Sequence, residues 1–462
     1  MMLLIPLILL VHLILLCNTR FTLWPEMVVY PFLLNNGFSL YRDIINPYPP
    51  FLSGFLTAFS RVFGYNPFPY QILTWVIIVI TDIVIFIITK KIFQKTSYAL
   101  MSTLFFIVLS IPFSINGLWF DLIQTPIILI AFCYFYKFIV SKKQNGDNLF
   151  FSIFFLTIAF FIKQQVLWLL FWFLIVLIFK FGKKISKIFF ARIPYLIMPF
   201  LILLLIQLVL FWQKGLLTDF LYWNYYFPFV QASKMPGYIL LPTVHQLFIL
   251  FALLLLFTPL FLKRNFQSNL IISTTFVLVL FAYPRFDYFH LIPSLSILSL
   301  AAAQNFKLFF RSNKPTQFIF IASFLFLSVF TIRYITKNWT KEVRFFEKNI
   351  FQTASILEKI TTPQESVYIQ NGPDQLLPLA DRIPIKPWAD EFPWYLELNG
   401  MQDKIVNSLT EQNPRFIIFK PYDSGYKYQT GSYRPGKIVS FIENNYQNFA
   451  QISDTLWLKV KK

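Results

Sequence analysis

Three acidic residues, Glu26, Asp43 and Asp121, lie beside or between long apolar runs of the sequence. Side chains that could work with them have the same placement: Arg42, Lys163, Arg285, Gln164, Gln165, His290 and Tyr48. Charged groups next to hydrocarbon are costly, and they are generally kept for ion pairs, transport paths or sites. If these residues face one compartment, they place an acid, a base and several cations at one membrane surface.

The composition requires such a membrane surface. Of 462 residues, 57% are hydrophobic and 13% are charged, which is more apolar surface than a soluble core of this size can hide. The net charge of +19 comes from basic residues that punctuate the apolar runs. They form no basic arm with interleaved polar residues, so nucleic acid is not a predicted partner. Neither Cys17 nor Cys133 belongs to a cysteine cluster, and no zinc site or disulfide framework is predicted.

A helix needs about 20 apolar residues to cross a bilayer. The runs that meet this requirement predict about eleven spans, at 2–17, 68–89, 98–115, 118–140, 149–162, 166–181, 193–212, 245–262, 269–283, 288–304 and 317–335. The first has the length of a signal peptide, but it has neither a basic start nor a small-residue cleavage site. We therefore interpret it as a retained helix.

Basic residues orient these spans. Sixteen fall on one alternating set of connections: Lys90, Lys91, Lys95, Lys137, Lys142, Lys143, Lys180, Lys183, Lys184, Lys187, Arg192, Lys263, Arg264, Lys307, Arg311 and Lys314. The other set, which is longer, carries seven: Arg20, Arg42, Arg61, Lys163, Lys214, Lys234 and Arg285. Since cytoplasmic loops are rich in Lys and Arg, the second set is predicted to lie outside.

Two predicted outer segments, 18–66 and 213–244, are too long for simple turns. Pro25 opens a predicted helix over Glu26 to Asn35 that Asn36 and Gly37 end, and Pro49 opens a second through Phe63. We expect both helices to lie along the membrane surface.

The predicted fold is thus a membrane all-α bundle of about eleven transmembrane helices with outer-face surface helices, covering residues 1–336. A small extracytoplasmic α/β domain, residues 337–462, follows it. Its predicted elements are helices at 342–360 and 437–445 and strands at 366–370, 416–419 and 455–460.

An ordered set of short motifs resembles the C-type glycosyltransferase superfamily. An acidic residue follows the first span, then come Asn36-Gly37, Leu40 to Asp43 and Tyr48-Pro49-Pro50. The turns Lys163 to Gln165 and Arg285 to His290 fit as well. The chain is most similar to the dolichyl-phosphate-mannose protein mannosyltransferase and lipopolysaccharide galacturonosyltransferase-like families. One departure is that Pro25 precedes a lone Glu26, where many members carry an adjacent acidic pair.

The resemblance implies a sugar donor linked to a polyprenyl phosphate in the bilayer and a lipid, glycan or protein acceptor. A carboxylate, Glu26 before Asp43 or Asp121, would deprotonate the acceptor hydroxyl, and the configuration at the anomeric carbon would invert. Arg42, Lys163 and Arg285 would hold the donor phosphate. Gln164, Gln165, His290 and Tyr48 would contact substrate. No cofactor is predicted with certainty; a divalent metal held by Glu26 and Asp121 is possible.

Each assignment has a structural alternative. Glu26 would complement a helix dipole, and Asp43 would pair with Arg42 or cap a turn. Asp121 would be an N-terminal helix residue with Asn116 as the nearby cap, and Lys163 would extend from a helix end to the headgroups. Arg285 would pair with Asp287, and Tyr48 would only shape its turn. The aromatic residues Tyr222, Trp223, Tyr225 and Tyr226 would anchor the chain at the membrane interface. His12 and Asp82 would be polar residues whose hydrogen bonds are satisfied within the helix bundle.

Rival functions are a transporter or flippase of a lipid-linked saccharide, an outer-face oligosaccharide polymerase or ligase, and a noncatalytic assembly protein. Transporters commonly show internal repeats and Gly or Pro breaks in matching spans. The sequence shows no repeat and has only 13 glycines, which favours the transferase.

Overall fold

A computed structural model describes residues 4–141, 146–182, 193–235, 237–262, 265–389, 393–398, 400–421, 435–453 and 455–462. Eight of the basic residues that orient the predicted spans lie outside this part: Lys142, Lys143, Lys183, Lys184, Lys187, Arg192, Lys263 and Arg264.

The chain divides into two compact units. The helical unit comprises Met1–Phe21, Gln71–Gln207 and Leu240–Lys341, and the mixed unit comprises Thr22–Tyr70, Leu208–Ile239 and Glu342–Lys462. This grouping differs from the predicted boundary at 336/337, because the segments Thr22–Tyr70 and Leu208–Ile239 group with the C-terminal residues.

Apolar helices make up the helical unit. Four helices of the described residues are long and apolar enough to cross a membrane: Pro67–Phe93, Phe120–Val140, Gln164–Phe181 and Lys314–Lys337. The other helices are Leu4–Asn18, Thr96–Ser110, Gly146–Phe160, Ile193–Gln213, Val244–Leu256, Thr258–Leu262, Phe266–Val279, Ile292–Ser299 and Ala302–Phe309. Every predicted span overlaps one or two of these helices. Helices suit lipid because they satisfy all of their backbone groups internally.

The start of the helix Phe120–Val140 differs from the prediction. Trp119, in extended conformation, precedes the helix without a side-chain cap. The predicted cap, Asn116, instead donates from Nδ2 to the carbonyls of Leu16 and Thr19 at 2.9 Å. These are groups that the C-terminus of the first helix leaves without an intrahelical partner, so Asn116 fixes the end of the first helix.

A four-stranded sheet organises the C-terminal part of the mixed unit. The strands Val367–Gln370 and Phe416–Phe419 are parallel, with Val367 opposite Phe416. Leu456–Lys461 pairs antiparallel with Phe416–Phe419 and with the edge strand Tyr446–Ser453. The helices of this part are Lys348–Ile360, Leu376–Ala380, Pro393–Leu396, Met401–Gln412 and Gly436–Asn445. The small α/β fold predicted for these residues is therefore present.

The sequence did not predict the helices Leu376–Ala380, Pro393–Leu396 and Met401–Gln412. It also did not predict the edge strand Tyr446–Ser453, which is polar and mostly exposed, and one predicted helix is shorter in the structure. The helix predicted from Glu342 begins only at Lys348, because Val343–Arg344 is a short strand and Phe345 has a φ of 73°. Two further short strands are Phe21–Leu23 and Gly117–Leu118.

The first long loop contains both predicted helices, Glu26–Asn35 and Pro50–Phe63. Pro50–Phe63 is amphipathic, with Phe51 and Phe55 exposed and Leu52 and Leu56 buried. The surface position predicted for Glu26–Asn35 is wrong, since its residues from Glu26 through Leu33 are all buried. Its apolar side chains belong to the same hydrophobic core as the sheet.

Candidate functional site: a buried ion cluster in the helical unit

Three predicted site residues, distant in sequence, meet in the helical unit. Lys163 Nζ donates to Asp121 Oδ2 at 2.8 Å, and His290 Nδ1 lies 2.8 Å from the same oxygen. Lys163 Nζ and His290 Nδ1 are 3.2 Å apart. The Asp121 side chain is fully buried, and those of Lys163 and His290 are 5% and 11% exposed. We call these three residues the ion cluster.

Each member of the ion cluster lies at the end of a helical element. Asp121 is in the first turn of Phe120–Val140. Lys163 is an extended residue between the helix Gly146–Phe160 and the 3-10 turn Gln164–Val166. His290 belongs to the 3-10 turn Tyr288–Leu291, which the Asp287 side chain caps by accepting from the Tyr288 amide. Helix ends leave backbone groups open, so polar side chains are tolerated there more easily than within a span.

Gln124 holds the turn that carries Lys163. It lies three residues after Asp121, on the same helix face, and it is fully buried. Its Nε2 donates to the carbonyls of Ala159 at 2.8 Å and Lys163 at 2.9 Å. Gln124 was not among the predicted site residues. The sequence pattern that could have identified it is the spacing Asp121-x-x-Gln124, which places two polar groups on one side of an otherwise apolar helix.

The ion cluster retains unused hydrogen-bonding capacity. Among the described residues, Asp121 Oδ1 is buried and has no hydrogen-bond partner. An ammonium has three N–H donors, and one of them makes the 2.8 Å hydrogen bond to Asp121. The imidazole Nδ1 either donates to Asp121 or accepts from Lys163, because one nitrogen cannot do both. A buried cation beside an unsatisfied carboxylate oxygen is suited to contacting a polar ligand.

The predicted substrate contacts on the neighbouring turns have defined positions. Gln165 Nε2 donates to the Tyr283 carbonyl at 2.6 Å, which links the Lys163 turn to the turn that leads to His290. Gln164 is buried. Arg285 is half-buried, and its backbone pairs with that of Leu240.

The remaining predicted residues, Glu26, Arg42, Asp43 and Tyr48, lie in the mixed unit. Glu26 is 8% exposed in the first turn of its helix. The Tyr48 carbonyl accepts from Tyr41 Oη at 3.0 Å, and its amide donates to the Asn46 side chain, as the shaping alternative requires.

Asp43 holds its own loop together. Its carboxylate accepts from the Ser39 amide at 2.8 Å and from Arg42 Nε at 3.3 Å, and Lys386 Nζ lies 3.7 Å away. The Arg42 side chain is 56% exposed and also donates to the Ser39 hydroxyl. The predicted alternative for Asp43, pairing with Arg42 within a turn, matches these contacts.

The Asp121 position does not suit a hard cation. Such metals are bound by several oxygen ligands, whereas Asp121 Oδ2 is engaged by an ammonium whose charge repels a second cation. Within the described ranges, no group of three or more His, Cys, Asp or Glu residues could hold a metal ion.

Two apolar grooves have wall residues that are close in sequence to the ion cluster. The wide groove, about 560 Å³, is lined by Leu247, Phe251, Phe276, Leu291 and Leu295, among others, and Leu291 directly follows His290. The narrow groove, about 270 Å³, is lined by Ile153, Phe160, Val166, Leu170 and Phe200, among others. Phe160 and Val166 lie three residues before and after Lys163. The polar ion cluster and the two apolar grooves thus involve neighbouring segments of the chain in this unit.

Comparison with solved structures identifies the fold. ArnT of Cupriavidus metallidurans bound to undecaprenyl phosphate matches 98% of this chain over 97% of its own length, with a TM-score of 0.62 and 11% identity. Its apo state gives a TM-score of 0.61 at 10% identity over the same shares of the two chains. The chain has the fold of the C-type glycosyltransferases.

A second protein with this fold also matches. An oligosaccharyltransferase of Archaeoglobus fulgidus, tethered to an acceptor peptide, matches 99% of this chain over 74% of its own length, with a TM-score of 0.56 and 9% identity. No protein-family model matches the sequence, and no curated protein matches it significantly. The C-type glycosyltransferase fold predicted from the loop motifs is therefore confirmed, and the low identities limit the comparison to the fold.

Proposed function

We propose that this chain is an integral membrane glycosyltransferase, which moves a sugar from a polyprenyl-phosphate donor to an acceptor hydroxyl at the extracytoplasmic face. The observation that carries the proposal is the ion cluster, because His290 directly precedes a wall residue of an apolar groove. Support for the donor class comes from the fold neighbours, since ArnT was solved with undecaprenyl phosphate and the archaeal oligosaccharyltransferase AglB with dolichol phosphate and an inhibitory peptide.

The wide groove suits the isoprenoid chain of such a donor. It follows the helix Val244–Leu256 from Val244 to Leu254, which is roughly 15 Å or half the hydrocarbon core. Its two hydroxyl groups point away from a ligand, because Thr275 and Ser294 donate to the carbonyls of Ile271 and Thr275. The rim residues Phe248 and Phe251 are 61% and 55% exposed. A lipid can therefore enter sideways from the bilayer.

The chemistry needs a base and a site for the leaving phosphate. Glu26 takes the proton of the acceptor hydroxyl, and the hydroxyl oxygen attacks the anomeric carbon on the face opposite the phosphate. The bond between the anomeric carbon and the phosphate oxygen breaks, and its electron pair leaves with the phosphate, so the configuration inverts. Lys163 and Arg285 stabilise the charge that develops on this phosphate. Because Lys163 is held by Asp121 and His290, its ammonium is positioned before the donor binds.

The membrane topology in this proposal has eleven crossings, with the C-terminal residues outside. The basic residues of alternate connections support it. A phosphatase reporter fused after Lys462 should be active, and a reporter active only in the cytoplasm would contradict the topology.

Donor turnover tests the function. The full chain, purified in lipid nanodiscs, is incubated with polyprenyl phosphates that carry radiolabelled sugars, and free polyprenyl phosphate is measured. Release of polyprenyl phosphate with sugar on an acceptor is expected. A donor that stays chemically intact while crossing a liposome membrane would instead support the flippase alternative.

A further inference from the structure

We infer that the acceptor is itself a membrane lipid, whose hydrocarbon chain occupies the narrow groove while its head group reaches the ion cluster. The inference rests on the proposed function and names the acceptor class of the same site.

The narrow groove has the shape of a chain-binding site. Along the helix Gly146–Phe160 it extends from Phe160 back to Leu149, and along the next helix from Leu167 to Leu177, roughly 15 Å in each case. Its one polar wall residue, Thr157, donates its hydroxyl to the Ile153 carbonyl at 2.8 Å. An elongated groove with almost entirely apolar walls binds a hydrocarbon chain favourably, because binding removes apolar surface from water.

The groove is accessible from lipid. The wall residues Phe171, Leu174 and Ile197 are 56%, 36% and 41% exposed, on helices apolar enough to face the bilayer. A ligand that already lies in the membrane can reach such a groove by lateral movement, whereas a water-soluble glycan or peptide gains nothing from its walls.

The donor's chain does not account for the narrow groove. The helices Leu167–Phe181 and Phe266–Val279 contact each other where Trp172 Nε1 donates to Thr274 Oγ1 at 3.3 Å. Neither of these two residues lines a groove, and the two grooves share no lining residue. A polyprenyl phosphate has one chain, and the larger groove suits the longer chain. The second groove needs a second amphiphile, which in a transferase is the acceptor.

Each groove has wall residues that are close in sequence to the ion cluster. His290 precedes a wall residue of the wide groove, and Lys163 lies between two wall residues of the narrow groove. Two lipids seated in these grooves would present their head groups to one ion cluster. This is the arrangement that transfer between two membrane-embedded substrates requires.

Two acceptor probes with the same head group test the inference: dodecyl glucoside and methyl glucoside, each with a radiolabelled polyprenyl-phosphate sugar and the full chain in nanodiscs. We expect kcat/KM for dodecyl glucoside to be at least 100-fold higher. Leu170→Trp, which fills the narrow groove, should lower it by about fourfold for each methylene that is displaced, so the preference for dodecyl glucoside over methyl glucoside should fall. Equal use of the two probes, or an unchanged preference in Leu170→Trp, would overturn the inference.

Two control variants separate groove filling from general disturbance. Ile175→Trp places the same ring on the same helix outside the groove and should leave the preference intact. Leu250→Trp fills the wide groove and should raise KM for the donor instead. If Ile175→Trp lowers the preference as much as Leu170→Trp, partition into the bilayer explains it and the inference fails.

Photolabelling keeps the inference testable if neither glucoside is an acceptor. A dodecyl glucoside with a diazirine in its chain should label 146–181, the label should be lost in Leu170→Trp, and excess polyprenyl phosphate should not compete. Labelling spread over all lipid-facing helices would identify bulk lipid as the occupant and reject the acceptor site. Selective labelling without any donor turnover would reject the proposed function but retain the lipid site.

Discussion

Lys163 in the helical unit and Arg382 in the mixed unit are both buried cations, 4% and 3% exposed, yet their surroundings differ. Arg382 donates five hydrogen bonds, all to neutral oxygens of Glu358, Thr361, Ala380 and Asp381. Lys163 has one charged acceptor, Asp121, and that carboxylate keeps a buried oxygen without a partner in the described part of the chain.

The difference separates a structural cation from a site cation. The guanidinium of Arg382 has five N–H donors in a fixed plane. The end of the helix Lys348–Ile360 with Thr361, together with the carbonyls of Ala380 and Asp381, accepts from all of them. Lys163 has N–H donors beyond the one that Asp121 accepts, and Phe160 and Val166 on either side of it line an apolar groove. An incompletely satisfied buried polar group costs stability, and function is the usual reason for keeping one. Four measurements test this difference between a structural region and a functional site. The first tests which residue deprotonates the acceptor.

Glu26→Gln should give the largest effect. The substitution keeps size and most hydrogen bonds but cannot accept a proton. Loss of a positioned base typically lowers the rate about 100-fold to 10,000-fold, measured as turnover of well-folded protein that still binds donor. If Glu26 merely complements a helix dipole, stability falls by about 0.3 to 1 kcal/mol and turnover stays nearly intact. That result would move the assignment to Asp43 and then to Asp121.

Lys163→Met should lower transfer by about 100-fold to 1,000-fold, because it removes a positioned cation from the leaving phosphate. The same change leaves the buried Asp121 carboxylate without its ammonium partner and with only His290 beside it, and breaking such a buried pair costs about 3 to 5 kcal/mol. Initial rates per folded molecule and thermal unfolding are measured together.

The control for Lys163 removes both charges. The double variant Lys163→Met, Asp121→Asn should regain stability but not transfer. Recovery of transfer in the double variant would make the pair structural and place Lys163 in the same class as Arg382.

Arg382→Lys should affect stability and leave the chemistry alone. An ammonium cannot reach the carbonyls that a planar guanidinium contacts, so unfolding free energy should fall by roughly 2 to 4 kcal/mol. Specific activity of the folded fraction should not change. Arg415→Lys, on a 63% exposed side chain, is the matched control and should be nearly neutral. A large loss of specific activity in Arg382→Lys would break the contrast.

The smallest effect is expected at Glu365, a partly exposed carboxylate that has two hydrogen-bond partners. The Thr362 amide donates to it at 2.7 Å and lowers its pKa below the ordinary value, and Arg415 at 3.5 Å contributes. Because the folded pKa is the lower one, this stabilisation is present above the unfolded pKa of about 4.3 and is lost as the pH falls through the folded pKa. The difference in unfolding midpoint between wild type and Glu365→Gln should therefore shrink on acidification below about pH 4. A difference independent of pH would show that the carboxylate charge is not involved.

Local sequence patterns determined the apolar helices and the helix bounds in the first loop. Pro25 and the Asn36-Gly37 pair bound the helix Glu26–Asn35 as predicted, because φ restriction at Pro and the left-handed Gly37, with φ of 80°, act within a few residues. The strand Phe416–Phe419 was likewise recognisable as a short apolar run. The edge strand Tyr446–Ser453 was not, because it is polar and owes its conformation to pairing with Leu456–Lys461.

The tertiary structure decided which of the polar candidates act together. The sequence indicated Asp121, Lys163 and His290 separately, but Asp121 is 42 residues from Lys163 and 169 from His290. Only helix packing, fixed in part by Gln124, brings them into contact. Packing within the mixed unit buried Glu26 through Leu33, on a helix that the sequence had suggested for the surface. Packing within the helical unit directed Asn116 to the first helix. Residue type sets what a side chain can do, whereas its partners depend on contacts between segments that no local pattern specifies.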